Sequence, residues 1–291
     1  MSPFEYSEWK SGEAMLKIGF LGPKGTFSQE AMLLYVQGKK HTAFDYNTIP
    51  EILLAVQNGI VDEAVVPIEN SLEGAVSVTL DMMALEVDLL IKTELVVAVK
   101  QNLLVKKGTG TEDIKYILSH PQPIGQCRRY ISSNFPQAEI RFVYSTAGAA
   151  EEVAKGGSGL AAIGSAAAAD VYGLDILAHG IQDGQNNLTR FVIISKEDSE
   201  RTGRDKTSIV FSTEDKPGSL YRVLDIFNLW DVNMTRIESR PAKNRLGKYI
   251  FFVDIEGHRD DDDIKDALTM VKRKSSFFKF LGSYPEWRVE S

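Results

Sequence analysis

The sequence predicts an α/β protein with a largely parallel sheet, followed by a smaller domain in ferredoxin-like β-α-β-β-α-β order. Three observations predict it. Short apolar runs alternate with capped helical segments from residue 17 to residue 196. The stretch from Lys196 to Lys206 is charged, with one glycine and no apolar residue, so 197–206 reads as a linker. Residues 207–285 then carry two helical patterns, each flanked by strands. A length of 291 residues fits two or three domains, at roughly 100–200 residues each.

In order, Lys17 to Leu21 is a strand that Gly22-Pro23-Lys24-Gly25 breaks. Thr26 to Gln29 has capping-box spacing and opens a helix to about Val36. Thr48 and Glu51 repeat that signal. Glu63 to Val66 is a strand running into a polar loop, Pro67 to Gly74. Tyr116 to Ser119 is a strand, with a helix after it to Ser132. Ser145 to Lys155 is helical, and Leu160 to Ile163 is a buried strand. Ser165 caps an alanine-rich helix that Gly173 ends. Arg190 to Ser195 is the last strand before the linker. Beyond it come strand 207–212, helix 218–230, strands 233–239 and 249–255, helix 263–272 and strand 277–284. Pro217 precedes the first of these helices, and Asp260 to Asp263 lies at the positive end of the second.

Charge and composition narrow the function. With 40 acidic and 33 basic residues the net charge is -7, which disfavours nucleic acid, because phosphate binding wants a basic face. Cys127 is the single cysteine and the four histidines are scattered, so neither a disulfide nor a metal site is expected. No apolar run reaches the roughly 18 residues of a membrane span. Residues 1–16 lack a basic start and an apolar stretch. They read as an extension rather than a signal peptide, and the expected location is the cytoplasm.

Polar residues gather where strands of the first part end, at Gly22 to Ser28, Glu69-Asn70-Ser71, Ser119 to Pro123 and Ser145-Thr146. Ligands of parallel sheets bind outside those strand ends, where helix N-termini favour anions. Hydroxyls, amides and an arginine, without a nucleotide loop, suggest a small organic acid. Gly22 to Gly25 lacks the Gly-Lys-Ser/Thr ending of a phosphate loop. Gly157-Ser158-Gly159 precedes a strand instead of following one, which fails the dinucleotide test. Taken alone, His120 reads as a turn residue, Cys127 as a packed apolar group, and Glu151 with Glu152 as a solvated helix face.

Lys17 to Ser28, Pro67 to Ser71 with Gly74, Ser119 to Gln122 with Gln126-Cys127, Ser145-Thr146 with Glu151, and Asn187-Leu188-Thr189-Arg190-Phe191 occur in the order of the prephenate dehydratase motifs. The chain resembles that family from about residue 17 to the end of the fold. The resemblance implies two lobes similar to periplasmic binding proteins, one from 17–95 plus 181–196 and the other from about 96–180. It implies a cofactor-free loss of CO2 and water from prephenate, leaving phenylpyruvate. The implied catalytic residues are Thr189, Glu151, Asn70, Ser119 and Gln126, and the substrate-binding ones Arg190, Phe191, Ser71, Thr26 and Glu69. Arg190 is the natural carboxylate clamp. On a regular strand, however, neighbours point to opposite faces. Thr189 is then the better candidate for the cleft, and Arg190 a support.

The C-terminal part resembles an ACT domain. Pro217-Gly218-Ser219-Leu220 matches its glycine-alanine-leucine loop, with serine in place of alanine, and Glu238-Ser239-Arg240-Pro241 matches its phenylalanine-binding signature. The resemblance implies feedback by L-phenylalanine at Gly218, Ser219, Leu220, Asn233, Met234, Glu238, Ser239, Arg240 and Pro241. It also implies a homodimer or homotetramer formed through the ACT domains. An arogenate dehydratase and a non-catalytic, amino-acid-responsive binding protein are the alternatives. No fused mutase or dehydrogenase segment is expected in the short N-terminal extension.

Overall fold

The computed structural model of the protein describes residues 15–184, 186–242 and 249–287. Most of the expected N-terminal extension, residues 1–14, lies outside the described residues. The first lobe opens with β1 (Leu16–Leu21), which buries Ile18 and Phe20. Thr26 caps α1 (Phe27–Tyr35), accepting from the Gln29 N–H, and β2 (His41–Tyr46) pairs with β1 in parallel. Thr48 caps α2 (Ile49–Gln57) through the Glu51 N–H. β3 (Glu63–Asn70) then lies parallel to β1. β4 (Gly74–Ala75) folds back onto β3, and α3 (Ser77–Leu85) and β5 (Leu90–Ala98) follow.

The chain crosses at residues 99–101 into a second sheet. Its elements are β6 (Asn102–Val105), β7 (Tyr116–Ser119), α4 (Pro121–Gln126), α5 (Arg128–Asn134), β8 (Glu139–Phe142), α6 (Thr146–Lys155), β9 (Leu160–Gly164), α7 (Ala166–Tyr172) and β10 (Asp175–Ala178). It returns as β11 (Leu188–Ser195), antiparallel between β3 and β5. The sheet orders are β2-β1-β3-β11-β5 and β10-β6-β9-β7-β8, which gives two lobes joined by two crossings. The expected helix to Ser132 is two helices, separated at Cys127.

One boundary corrects the sequence reading. The loop expected from Pro67 belongs to β3, which runs on to Asn70. The reason is a bulge: Arg190 pairs with Glu69 but Phe191 pairs with Pro67, so the register slips by one residue there. A bulge tolerates a proline, which has no N–H to give the ladder.

The third sheet comprises β12 (Asp205–Ser212), α8 (Ser219–Leu229), β13 (Met234–Pro241), β14 (Tyr249–Glu256), α9 (Asp262–Lys274) and β15 (Phe277–Pro285). Its order is β13-β14-β12-β15, all antiparallel. One face packs Ile209, Phe211 and Val253 against α8 and α9. The other face places Val210, Phe252, Leu281 and Tyr284 in one core with Ile52, Leu53, Met83 and Ile91 of the first lobe. Contact is closest at Gly282, at φ 142°, where an added Cβ would stand 2.4 Å from the Ile91 carbonyl oxygen. The charged linker is held down along its first half. Ser199 donates to the Lys92 carbonyl, Asp198 pairs with Arg259, and Arg201 with Asp261.

Candidate active site

The two lobes face each other across a cavity of about 420 Å³. Leu21, Phe27, Val76 and Val99 form its apolar wall, and Asn70, Gln101, Gln126, Asn187 and Thr189 its polar floor. His120, Tyr144, Ser145 and Thr146 face them from the second lobe, and among the described residues no lysine or arginine lines the cavity. Both crossings contribute, since Gln101 precedes β6 and Asn187 precedes β11.

Hydrogen-bond bookkeeping fixes the floor. The Asn70 side-chain oxygen accepts from the Leu72 and Glu73 backbone N–H groups at 2.9 and 3.1 Å. Backbone N–H groups only donate, so the orientation of the Asn70 amide is set. Its Nδ2 donates to Asn187 Oδ1 and to Thr189 Oγ1, both at 2.8 Å. Thr189 therefore acts as acceptor toward Asn70, which leaves its own O–H to donate into the cavity. Gln126 Oε1 accepts from Asn187 at 3.3 Å and from Gln101 at 3.4 Å, which leaves the Gln126 Nε2 donors to face the cavity.

The remaining expected residues stand elsewhere. Arg190 is corrected from substrate clamp to a buried bridge on the opposite side of β11. Its Nε donates to Glu94 at 2.6 Å, its Nη1 to Asp254 at 2.7 Å and its Nη2 to Tyr284 at 2.9 Å. Three of its five N–H donors are thus taken by protein acceptors, and the residue does not line the cavity. Burial opposes its charge, but Tyr284, Asp254 and Glu94 outweigh that and hold its pKa above the usual value. Burial likewise opposes the Asp254 carboxylate, yet Arg190, Arg236 and the Ser208 hydroxyl keep its pKa low.

Glu69 pairs with Arg190 and Arg236 at 3.6 and 3.3 Å, away from the cavity lining. Phe191 is packed in the core of the first lobe. Ser119 is fully buried and donates to the Ile163 carbonyl. Ser71 donates to the Asn186 carbonyl and accepts from the Leu188 N–H. Thr26 caps α1 and donates to the Leu21 carbonyl. Glu151 pairs with Lys155 along the outer face of α6. For all of these but Phe191, a local backbone partner or a neighbouring charge takes the side chain that the motif spacing offered to the cleft. Burial, with Asp183 adding to it, pushes the Cys127 thiol up to about 12, so it is no nucleophile.

In the third sheet a cavity of about 300 Å³ is lined by Gly218, Ser219 and Leu220 with Thr213, Tyr249 and Phe251. The other expected effector residues lie off its lining. Asn233 donates to Glu256, and Met234 packs under the helices. Glu238, Ser239, Arg240 and Pro241 form the end of β13, and Arg240 is engaged with Asp81 at 2.9 Å and with Ser77.

Two α/β lobes around an amide- and hydroxyl-lined cleft, with a β-α-β-β-α-β sheet docked on one of them, define a two-lobed enzyme with an appended ACT module. Residues 18–199 match the prephenate dehydratase family model and residues 207–269 match the ACT domain model. The chain belongs to the prephenate dehydratase family. A bifunctional chorismate mutase/prephenate dehydratase of Aquifex aeolicus is 40% identical over 94% of this chain and 75% of its own length. The crystal structure of a prephenate dehydratase from Arthrobacter aurescens, in complex with L-Phe, is 39% identical, covers 93% of this chain and 90% of its own, and has a TM-score of 0.85. GqqA, described as a novel type of quorum-quenching acylase, is 30% identical over 93% of this chain and 98% of its own, with a TM-score of 0.84. The activity that goes with the family is a hydro-lyase reaction, the decarboxylating dehydration of prephenate in phenylalanine biosynthesis under feedback control.

Proposed function

We propose that the cavity around Thr189 binds prephenate and that the Thr189 hydroxyl orients the departing C4 hydroxyl group through a hydrogen bond, the proton that turns it into water being drawn from solvent. Prephenate carries a ring carboxylate and a pyruvyl side chain. Losing CO2 and water together makes the ring aromatic, which supplies the driving force. The protein has to hold a dianion, assist the hydroxyl as it leaves, and keep the ring carboxylate poorly solvated. The observation that carries this reading is the fixed Asn70 amide, which makes Thr189 an acceptor toward protein and so a donor toward substrate.

Asn70 has spent every hydrogen bond of its amide, so it positions Thr189 without touching substrate. Gln126 offers its Nε2 to a carboxylate or carbonyl oxygen. With no cation in the lining, the dianion depends on His120, the Ser145 and Thr146 hydroxyls and the N-terminal N–H groups of α1 and α6. The apolar wall from Leu21, Phe27 and Val76 takes the ring and limits solvation of its carboxylate.

The effector reading places L-phenylalanine at the Gly218–Leu220 turn, its carboxylate on the N–H groups opening α8 and its ring toward Tyr249 and Phe251. Assembly follows the edge of the third sheet. β13 is an outer strand whose Thr235, Ile237, Ser239 and Pro241 are exposed, and pairing two such edges would give the dimer. Among the described residues no helix is long and apolar enough to cross a membrane, and the reading places the protein in the cytoplasm.

The direct test incubates the purified protein with prephenate and, separately, with arogenate. Formation of phenylpyruvate from prephenate, well above the solvent rate, is the expected result. Phenylalanine from arogenate alone would reassign the substrate, and no product from either would leave a binding protein.

A further inference from the structure

Outside the cleft, a dense group of charges, most of them buried, lies between the first lobe and the third sheet. Three carboxylates, Glu69, Glu94 and Asp254, meet three cations, Arg190, Lys206 and Arg236. The Glu94 and Asp254 side chains are only 2% and 5% exposed, so both left water when the sheet docked. Burying paired charges is often no more stabilising than packing apolar groups of similar volume. Stability alone is thus a weak account of the cluster, and its position supplies a better one.

Two of its members are strand neighbours of the reacting pair. In the ladder between β11 and β3, Thr189 pairs with Asn70 and Arg190 pairs with Glu69. Strand neighbours point to opposite faces, so one rung faces the cleft and the next faces the third sheet. From that sheet Asp254 of β14 holds Arg190, and Arg236 of β13 holds Glu69. Opposite the step from Arg190 to Phe191, β3 carries one extra residue, Ile68, so the ladder bulges directly beside Glu69, where a ladder bends. β14 also brings Tyr249 and Phe251 to the Gly218–Leu220 cavity, so a single strand touches both ends. Arg236 Nη2 is buried without an acceptor, which means a shifted sheet has a hydrogen bond to gain.

We propose that Asp254 and Arg236 are positioning residues for the Thr189–Asn70 pair. The third sheet holds the pair through Arg190 and Glu69, and an amino acid bound at the Gly218–Leu220 turn acts on the reaction by shifting that hold. The proposal rests on the functional reading above. Coupling of this kind needs a two-state element that the effector and the reaction site both bias, and the docked sheet is that element.

The test uses the full chain with Asp254→Asn, following kcat and KM for prephenate across phenylalanine concentrations, with calorimetry of phenylalanine binding alongside. The variant is expected to bind phenylalanine within about threefold of the wild-type affinity yet to need at least about tenfold more for half-inhibition, a lost coupling of the usual allosteric size. Its kcat without effector falls while KM stays, and Asp254→Glu restores kcat and the sensitivity to phenylalanine. Removing one partner of a buried pair can unfold a protein, so Arg236→Gln, on the side of the cluster nearer Glu69, gives a second reading of the same loss. Inhibition of the folded variants at the wild-type concentration and to the wild-type extent overturns the proposal. A wild-type protein that turns over prephenate but ignores phenylalanine overturns the effector reading itself, before any variant is made.

Discussion

Thr189 and Arg190 are adjacent in sequence and do unrelated work. Thr189 lines the cleft and keeps its O–H free to donate, while Arg190 turns its guanidinium the other way, toward Glu94, Asp254 and Tyr284. The motif that joins them therefore encodes two sites on two faces of one strand. Its cleft face was legible in the sequence, because period-two alternation already separated the two side chains. Its other face was not, since the partners of Arg190 lie 64 to 96 residues away and only the docked sheet brings them near. Asn187 stood in the quoted motif without a role, and Gln101 carried no signal at all; hydrogen bonds to Gln126 place both in the site. A residue-scale prediction follows from the Asn70 amide. Asn70→Asp removes the donor that fixes Thr189 and offers it an acceptor, so the Thr189 hydroxyl turns back toward the protein. Turnover should fall by about 10²-fold, the low end for loss of a group that assists proton transfer, with the thermal midpoint little changed; steady-state kinetics and a melting curve check both.

At the scale of elements, capping and alternation were the readable signals. Thr26, Thr48, Ser145 and Ser165 each cap the helix that the sequence assigned to them, and Gly173 ends one in the left-handed conformation. Strand β3 was cut short because Pro67 argues against a strand interior, and sequence alone gives no sign of the bulge at Ile68 beside it. The approach of β15 to β5 was equally hidden. Gly282 reads as an ordinary glycine until its missing Cβ is found to be the clearance to Ile91. Gly282→Ala puts a methyl group where only 2.4 Å is free, at a positive φ. It should push the third sheet off the first lobe and destabilise the protein by about 2–4 kcal/mol, as overpacking combined with backbone strain does. Denaturant unfolding of the purified variant measures it.

Across the whole molecule, the order of the parts was clear and their contact was not. The β-α-β-β-α-β unit is visible in pattern, yet nothing in a one-dimensional pattern says that its sheet shares a core with Ile52, Met83 and Ile91. The linker looked like a tether because it is charged, but Glu197, Asp198 and Arg201 anchor it to Lys92, Arg259 and Asp261. Contact of this extent places the third sheet directly behind the strand that carries Thr189. Everything else in the account, including the effector's action at a distance, depends on what that hydroxyl does. The most direct measurement is turnover of prephenate by Thr189→Val beside Thr189→Ser. Valine keeps the shape and removes the O–H, so kcat should fall by about 10²-fold or more, and serine, which retains a donor, should recover most of it. A Thr189→Val protein that turns over prephenate at the wild-type rate would contradict the account.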